Sequence, residues 1–262
     1  MSEIKVNSVK GVGASTAAIT INNSDGTCTA NVTNRANPNL IINGAMQIAQ
    51  RGTTSTVSGY GTVDRFRVTH ENNNEAPTQE SIDVSDGDLP FTKGLTKSMR
   101  ITVGNNNADS NDILVVMQKI EATTIRNSGW NYKSSSDFIT LSFYVKSSVA
   151  QNFFGRLVTF DGTMMNYVFQ TGELVADTWT KVTKTIPGHT NLQFDNNVEQ
   201  GLQVIFGLFE GTDKTDNSTT VNGWSTYSDS ARTPDQTSTW FTTNNATFQF
   251  PGVKLELGSV AP

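Results

Sequence analysis

The sequence predicts an all-β protein: an antiparallel β-sandwich preceded by a short β-rich N-terminal arm. Three observations carry that reading. Apolar and polar residues alternate in one short segment after another, the pattern of a strand with one buried face. No segment sustains a helical period, apart from room for a single helical turn at residues 120–125. Only 16% of the residues are charged, against about 25% in an average soluble protein. Thr, Ser, Asn and 21 glycines fill the deficit, as suits strands with threonine-rich outer faces joined by Asn and Gly turns. An aromatic content of 9% separates the chain from disordered polar segments, which are poor in such residues.

Taken in order, residues 1–36 hold three β-like pieces, at 4–9, 17–21 and 27–32. The second turn, residues 22–26 (NNSDG), joins two of them with residues that tolerate positive φ. The arm's large apolar side chains are few: Ile4, Val6, Val9, Ile19, Ile21 and Val32. Strands with so little to bury do not stand alone, so the arm is expected to pack on the main domain, on copies of itself or on another protein. Residues 34–39, with Pro38, read as a linker. The main domain, residues 37–262, then offers strand candidates at 40–42, 64–69, 98–103, 113–119, 138–146, 155–160, 165–170, 181–186, 202–209 and 247–257. In residues 138–146 (FITLSFYVK), Ile139, Leu141, Phe143 and Val145 share one side and are predicted to face the core. In the closing stretch, 246–260 (ATFQFPGVKLELGSV), Pro251-Gly252 interrupts the alternation and predicts a bulge or an edge. The polar stretches 71–88 and 211–238 are expected to be long loops. About 220 residues suffice for a self-supporting core.

Charge and special residues exclude several functions. A net charge of −5 with 19 scattered basic residues does not provide the clustered Lys and Arg that binding a nucleic-acid backbone requires. The single cysteine, Cys28, reads as a small strand residue. The start, MSEIKVNSVK, has no signal-peptide pattern and no apolar run is long enough to span a bilayer, so assembly in a cytoplasm is expected. His70 and His189 stand apart from any nucleophile or zinc-ligand pattern and read as loop residues.

Eight segments in fixed order carry a resemblance: residues 39–52 (NLIINGAMQIAQRG), 60–67 (YGTVDRFR), 117–121 (MQKIE), 139–147 (ITLSFYVKS), 177–188 (DTWTKVTKTIPG), 201–208 (GLQVIFGL), 221–224 (VNGW) and 253–260 (VKLELGSV). Together they resemble a family of phage tail-fibre and tail-appendage proteins. The resemblance implies a jelly-roll sandwich similar to carbohydrate-binding modules and galactose-binding-like domains. It further implies a place on a virion tail, a homotrimer joined partly by residues 1–36, and other tail proteins and a host-surface polysaccharide as partners. The family often continues in a Thr-Pro-Phe-Glu-like tail where this sequence reads Ala261-Pro262.

Candidate chemistry follows from residue types. Saccharides stack their C–H faces on aromatic rings while amides and carboxylates bond their hydroxyls. Residues 128–133 (SGWNYK) and 222–227 (NGWSTY) place Trp130, Tyr132, Trp224 and Tyr227 beside Asn, and Tyr60 lies between glycines; Trp240 is a further candidate for the same surface. The competing expectation is that these rings plug the end of the sandwich, as is expected of Trp179. Asp83, Asp86 and Asp88 in residues 82–89 (IDVSDGDL) form a carboxylate cluster that reads as a solvated turn or a structural calcium loop, without the full twelve-residue pattern. No paired-carboxylate or triad spacing marks a catalyst, and no cofactor is expected. The function predicted is a non-enzymatic virion component that contributes to glycan recognition during adsorption. A purely architectural tail protein is the alternative.

Overall fold

A computed structural model of the chain describes residues 6–10, 12, 19–22, 24, 28–30 and 39–259. The chain divides into two compact units, Met1–Asn37 and Pro38–Ala261. In the first, β1 (Ser8–Val9), β2 (Ile19–Ile21) and β3 (Cys28–Ala30) form an antiparallel sheet in that order. Asn22 closes a turn by accepting hydrogen bonds from the Ser24 backbone and hydroxyl, at 3.0 and 2.6 Å. Val6 and Val9 are 45% and 49% exposed. The outer parts of the predicted strand segments (residues 4–5, 17–18, 27 and 31–32), the linker at 34–38 and the side chain of Cys28 lie outside the described residues, as do residues 260–262.

The second unit is an antiparallel β-sandwich of the jelly-roll type. Its elements are β4 (Thr54–Ser55), β5 (Arg67–Glu71), β6 (Thr78–Asp83), a 3-10 turn (Phe91–Lys93), β7 (Lys97–Thr102), β8 (Ile113–Glu121), α1 (Ala122–Arg126), β9 (Phe138–Ser147), β10 (Asn152–Thr159), β11 (Met165–Glu173), β12 (Thr180–Pro187), β13 (Gln200–Glu210), β14 (Trp224–Thr226), α2 (Thr239–Thr242), β15 (Thr247–Phe250) and β16 (Lys254–Leu257). One sheet runs β14-β11-β10-β13-β8-β5; the other runs β12-β9-β15-β7-β6-β4, with β16 on β9. The chain passes repeatedly from one sheet to the other, and every pairing between these strands is antiparallel. The inner faces meet in an aromatic seam: Phe143 to Phe206 at 5.0 Å and Phe206 to Phe250 at 4.9 Å. Ile139, Leu141, Phe143 and Val145 are buried in that core as predicted.

Four sequence expectations are corrected. Residues 40–42 form a turn, not a strand, because Asn39 takes over the local hydrogen bonding. Its Oδ1 accepts from the Ile41 and Leu255 backbone N–H groups at 3.0 and 2.8 Å, and its amide donates to Val253 O at 3.0 Å. Strand β6 lies inside the predicted loop 71–88. Its polar sequence hid a buried position, Gln79, which donates to Val57 O at 2.8 Å and accepts from Thr62 at 3.3 Å. Strand β14 likewise lies inside the predicted loop 211–238. The closing stretch is two strands: β15 lies between β7 and β9, while β16 pairs with β9 alone. Between them Gly252 adopts φ 68°, and Tyr144 N still donates to Pro251 O at 3.0 Å. The predicted interruption is therefore a kink that lets one stretch run end to end along β9. The predicted helical turn near residues 120–125 is α1.

Candidate functional site

The five predicted glycan-contact aromatics do not form one surface. Trp130 is 3% exposed and packs in a cluster with Tyr132 and Phe194, at 6.2 and 6.4 Å between ring centroids. That placement corrects its assignment: the ring is core and presents no face to a ligand. Tyr132 is half-buried, edge-on to Phe194 at 4.9 Å, and its backbone O accepts from His189 N at 2.8 Å. Trp224 is half-buried, 5.3 Å from the Tyr167 ring, and its indole N–H donates to Pro187 O at 2.7 Å. Tyr132 and Trp224 thus both anchor on the turn at 187–189. Trp240 is also corrected: it is fully buried on α2, with its N–H on Thr247 O at 3.0 Å. Trp179 carries the Lys146 ammonium 4.8 Å from its ring centroid.

The remaining candidates are simply placed. His70 bonds Thr56 O at 3.2 Å, and His189 Nδ1 accepts from Asn191 N at 3.2 Å. Asp83 pairs with Lys97 at 2.6 Å and Asp88 with Lys146 at 3.9 Å. Among the described residues no group of three or more His, Cys, Asp or Glu is arranged to hold a metal ion, so Asp83, Asp86 and Asp88 are not brought together as a calcium loop. No described helix is long and apolar enough to cross a membrane.

Tyr227 and Tyr60 lead instead to the side of the six-stranded sheet that faces away from the core. Alternation places Leu114, Val116 and Ile120 of β8 inward, and so turns Ile113, Val115, Met117 and Lys119 outward. The register then sets rows across the sheet. Arg67 lies opposite Met117, Met117 opposite Ile205, Ile205 opposite Arg156. Ile113, Val115, Val158 and Ile205 form a second apolar cluster, flanked by Met117, Phe160, Met164 and Tyr227. They floor a groove of about 310 Å³ whose polar lining includes Arg67, Gln203, Arg156 and Arg232. Ile113, Val115, Val158 and Ile205 are 2–5% exposed, so what the groove presents to solvent is the part-buried rim of Met117, Phe160, Met164 and Tyr227.

One wall is the loop after β13, and ion pairs pin it. Arg156 makes a two-pronged contact with Glu210, one prong at 3.0 Å, and Arg232 reaches the same carboxylate at 2.9 Å. Glu210 and Arg156 are 1% and 3% exposed, so charges removed from water here compensate one another. Arg232 continues to Asp229 at 2.6 Å, which Lys214 also grips at 2.6 Å. Lys214 and Arg232 together hold the Asp229 carboxyl well below the usual carboxylate range. Burial alone would lower the Arg232 guanidinium, but its bonds to Asp229 and Glu210 override it and raise the group above its ordinary value. Burial raises the Tyr227 phenol, whose hydroxyl donates to Asp229 at 3.2 Å. The sequence carried no signal for this network: its members are isolated single charges, joined only by register and by the loop's return.

A second basin of about 530 Å³ adjoins the groove. Met117 and Lys119, two apart on β8, line one hollow each, as do Arg67 and Arg65. Tyr60, 38% exposed, forms part of its lining, with the Arg51 guanidinium 6.0 Å from the ring centroid. Asn43 builds the frame: its amide donates to Ile48 O and Asp64 O at 2.9 and 3.0 Å, and its oxygen accepts from Ile48 N at 3.1 Å.

Comparison with known proteins gives remote likenesses in fold. Residue for residue, the chain is 10% identical to the enzymatically active domain of tailspike protein 4 of bacteriophage CBA120, with a TM-score of 0.44 over 84% of this chain; it spans 21% of that domain's length. It is 10% identical to the family 11 carbohydrate-binding module of Clostridium thermocellum, solved with a mixed-linked tetrasaccharide, at TM-score 0.35 over 80% of this chain and 98% of the module. It is 8% identical to the N-terminal cellulose-binding domain of Cellulomonas fimi β-1,4-glucanase C, at TM-score 0.36 over 82% and 99%. No protein-family model matches the chain, and no curated protein sequence matches it.

Proposed function

We propose that this protein is a glycan-binding component of a phage tail, a fibre or appendage that contacts host-surface polysaccharide without cleaving it. The observation that carries the reading is the groove on the outward face of the six-stranded sheet. Its part-buried Met117, Phe160, Met164 and Tyr227 side chains suit the C–H faces of sugar rings. The guanidinium and amide groups around it suit their hydroxyls. The carboxylate beneath, Glu210, is bonded to two guanidiniums, an arrangement of support rather than of proton transfer. The virion assignment rests on the eight ordered sequence segments. With it come assembly in a host cytoplasm, a place in the tail, and a homotrimer joined through residues 1–36, in which several grooves facing one surface raise avidity by about 10² to 10⁴.

The test uses purified protein and polysaccharide from host envelopes. Retention of the full chain on the polysaccharide is expected, and a Met117→Glu, Gln203→Ala variant loses it. Both side chains are only part-buried, so the melting temperature holds. Capture of virion proteins and nothing from the envelope favours the architectural alternative. Shortened polysaccharide chains reveal a depolymerase. Light scattering should give three copies for the full chain and fewer once residues 1–36 are removed.

A further inference from the structure

We infer that the glycan taken by this groove is acidic, and that Arg67, Arg65 and Lys119 receive its carboxylates; the inference rests on the glycan-binding reading above. The chain as a whole carries net charge −5, yet the groove and its adjoining basin are strongly cationic. Arg67, Arg156 and Arg232 line the first, and Arg51, Arg65 and Lys119 the second, against Glu71 and Asp64 as the acidic lining residues. Three of these cations are already committed. Arg156 and Arg232 hold Glu210, and Arg51 lies 3.7 Å from Asp64. The side chains of Arg67, Arg65 and Lys119 make no hydrogen bond or ion pair with any described residue.

Their placement gives the ligand a direction. Arg67 and Arg156 face outward on strands separated by β8 and β13, three strand spacings or roughly 14 Å. A saccharide crossing the apolar floor from β10 toward β5 therefore ends among Arg67, Arg65 and Lys119. There a planar guanidinium matches a carboxylate with two parallel N–H donors. The backbone adds a second, independent observation. Arg65 adopts φ 73°, in the left-handed region that ordinary side chains rarely take. Glycine would sit there without strain, so the local fold does not require arginine. Strained residues of this kind gather at binding sites.

The experiment titrates the full chain with D-glucuronate and D-galacturonate, against D-glucose and D-galactose, following backbone amides by NMR. Each pair differs in the oxidation state of one carbon, so the carboxylate is isolated from ring stacking. The inference expects uronates to bind about tenfold more tightly, the worth of one charge-assisted hydrogen bond. The preference should collapse when ionic strength rises from about 0.05 to about 0.5 M, and in Arg67→Ala and Lys119→Ala. Arg65→Gly removes the guanidinium and the backbone strain together, so the preference should fall with folding intact; Lys93→Ala, outside the groove, should change nothing. Equal binding of uronates and neutral sugars overturns the acidic preference while the glycan reading stands. Shifts of the same size with acetate reveal a plain anion site and also overturn it. An absence of shifts with every sugar overturns both.

Discussion

Gly44 sits where the opening turn meets the closing strand. A Cβ built there would lie 1.9 Å from Val253 O, while Val253 N donates to Gly44 O at 2.9 Å. Neither backbone can yield without breaking that bond, so Gly44→Ala is expected to cost about 1–3 kcal/mol, read as a lower midpoint in denaturant. Trp130 behaves similarly for a different reason. Truncating a buried ring leaves a cavity, and Trp130→Ala should cost about 3–5 kcal/mol. A Trp130→Ala protein of native stability that fails to bind glycan would mean the ring contacts ligand after all. Residue type alone could not separate these cases. A tryptophan beside Asn in a polar loop looks the same whether its ring faces a sugar or a phenylalanine, and here Phe194, far off in sequence, decides.

Strands rich in apolar residues were legible, and β7 to β13 fall where the sequence places them. The polar ones were not. Strand β6 reads TQESID, and its buried position is a glutamine satisfied by hydrogen bonds rather than by apolar contact. The short β14 is held by pairing with β11 at the sheet edge. The resemblance segments gain a physical account: residues 39–44 and 253–257 are both constrained because they bond each other, largely through Asn39. Asn39→Ala removes three hydrogen bonds to backbone groups, and a loss of about 2–4 kcal/mol is expected, measurable by thermal melting. The loop after β13 depends on charge instead. Asp229 titrates below its unfolded value, so its contribution is present above the ordinary carboxylate pKa of about 3.9 and is lost as pH falls through the depressed value. Residues 211–236 should therefore exchange amide hydrogens faster as pH drops below about 4, once intrinsic exchange is corrected, before the sandwich unfolds. Uniform loosening of the whole sandwich would contradict the pinning role. Asp229's side chain is 59% exposed, so salt should weaken the effect.

The chain divides into a sandwich, Pro38–Ala261, and a first unit whose sequence holds few large apolar side chains. The sandwich's two sheet faces are unequal. The seven-stranded sheet lends its inner side to the aromatic core, whereas the six-stranded sheet has apolar side chains on both sides, and the outward set forms the groove. That asymmetry was within reach of the sequence, because β8 (ILVVMQKIE) and β13 (QGLQVIFGLFE) are apolar at consecutive positions rather than alternately. Such runs mark strands covered on both faces. The groove's location was not legible, since it depends on which strands become neighbours.

Hydrogen exchange of the full chain, with and without polysaccharide from host envelopes, tests the central claim most directly. Protection confined to β5, β8, β10, β13 and residues 227–232 is the predicted result. Protection on the outward side of the seven-stranded sheet, or none anywhere, would contradict it.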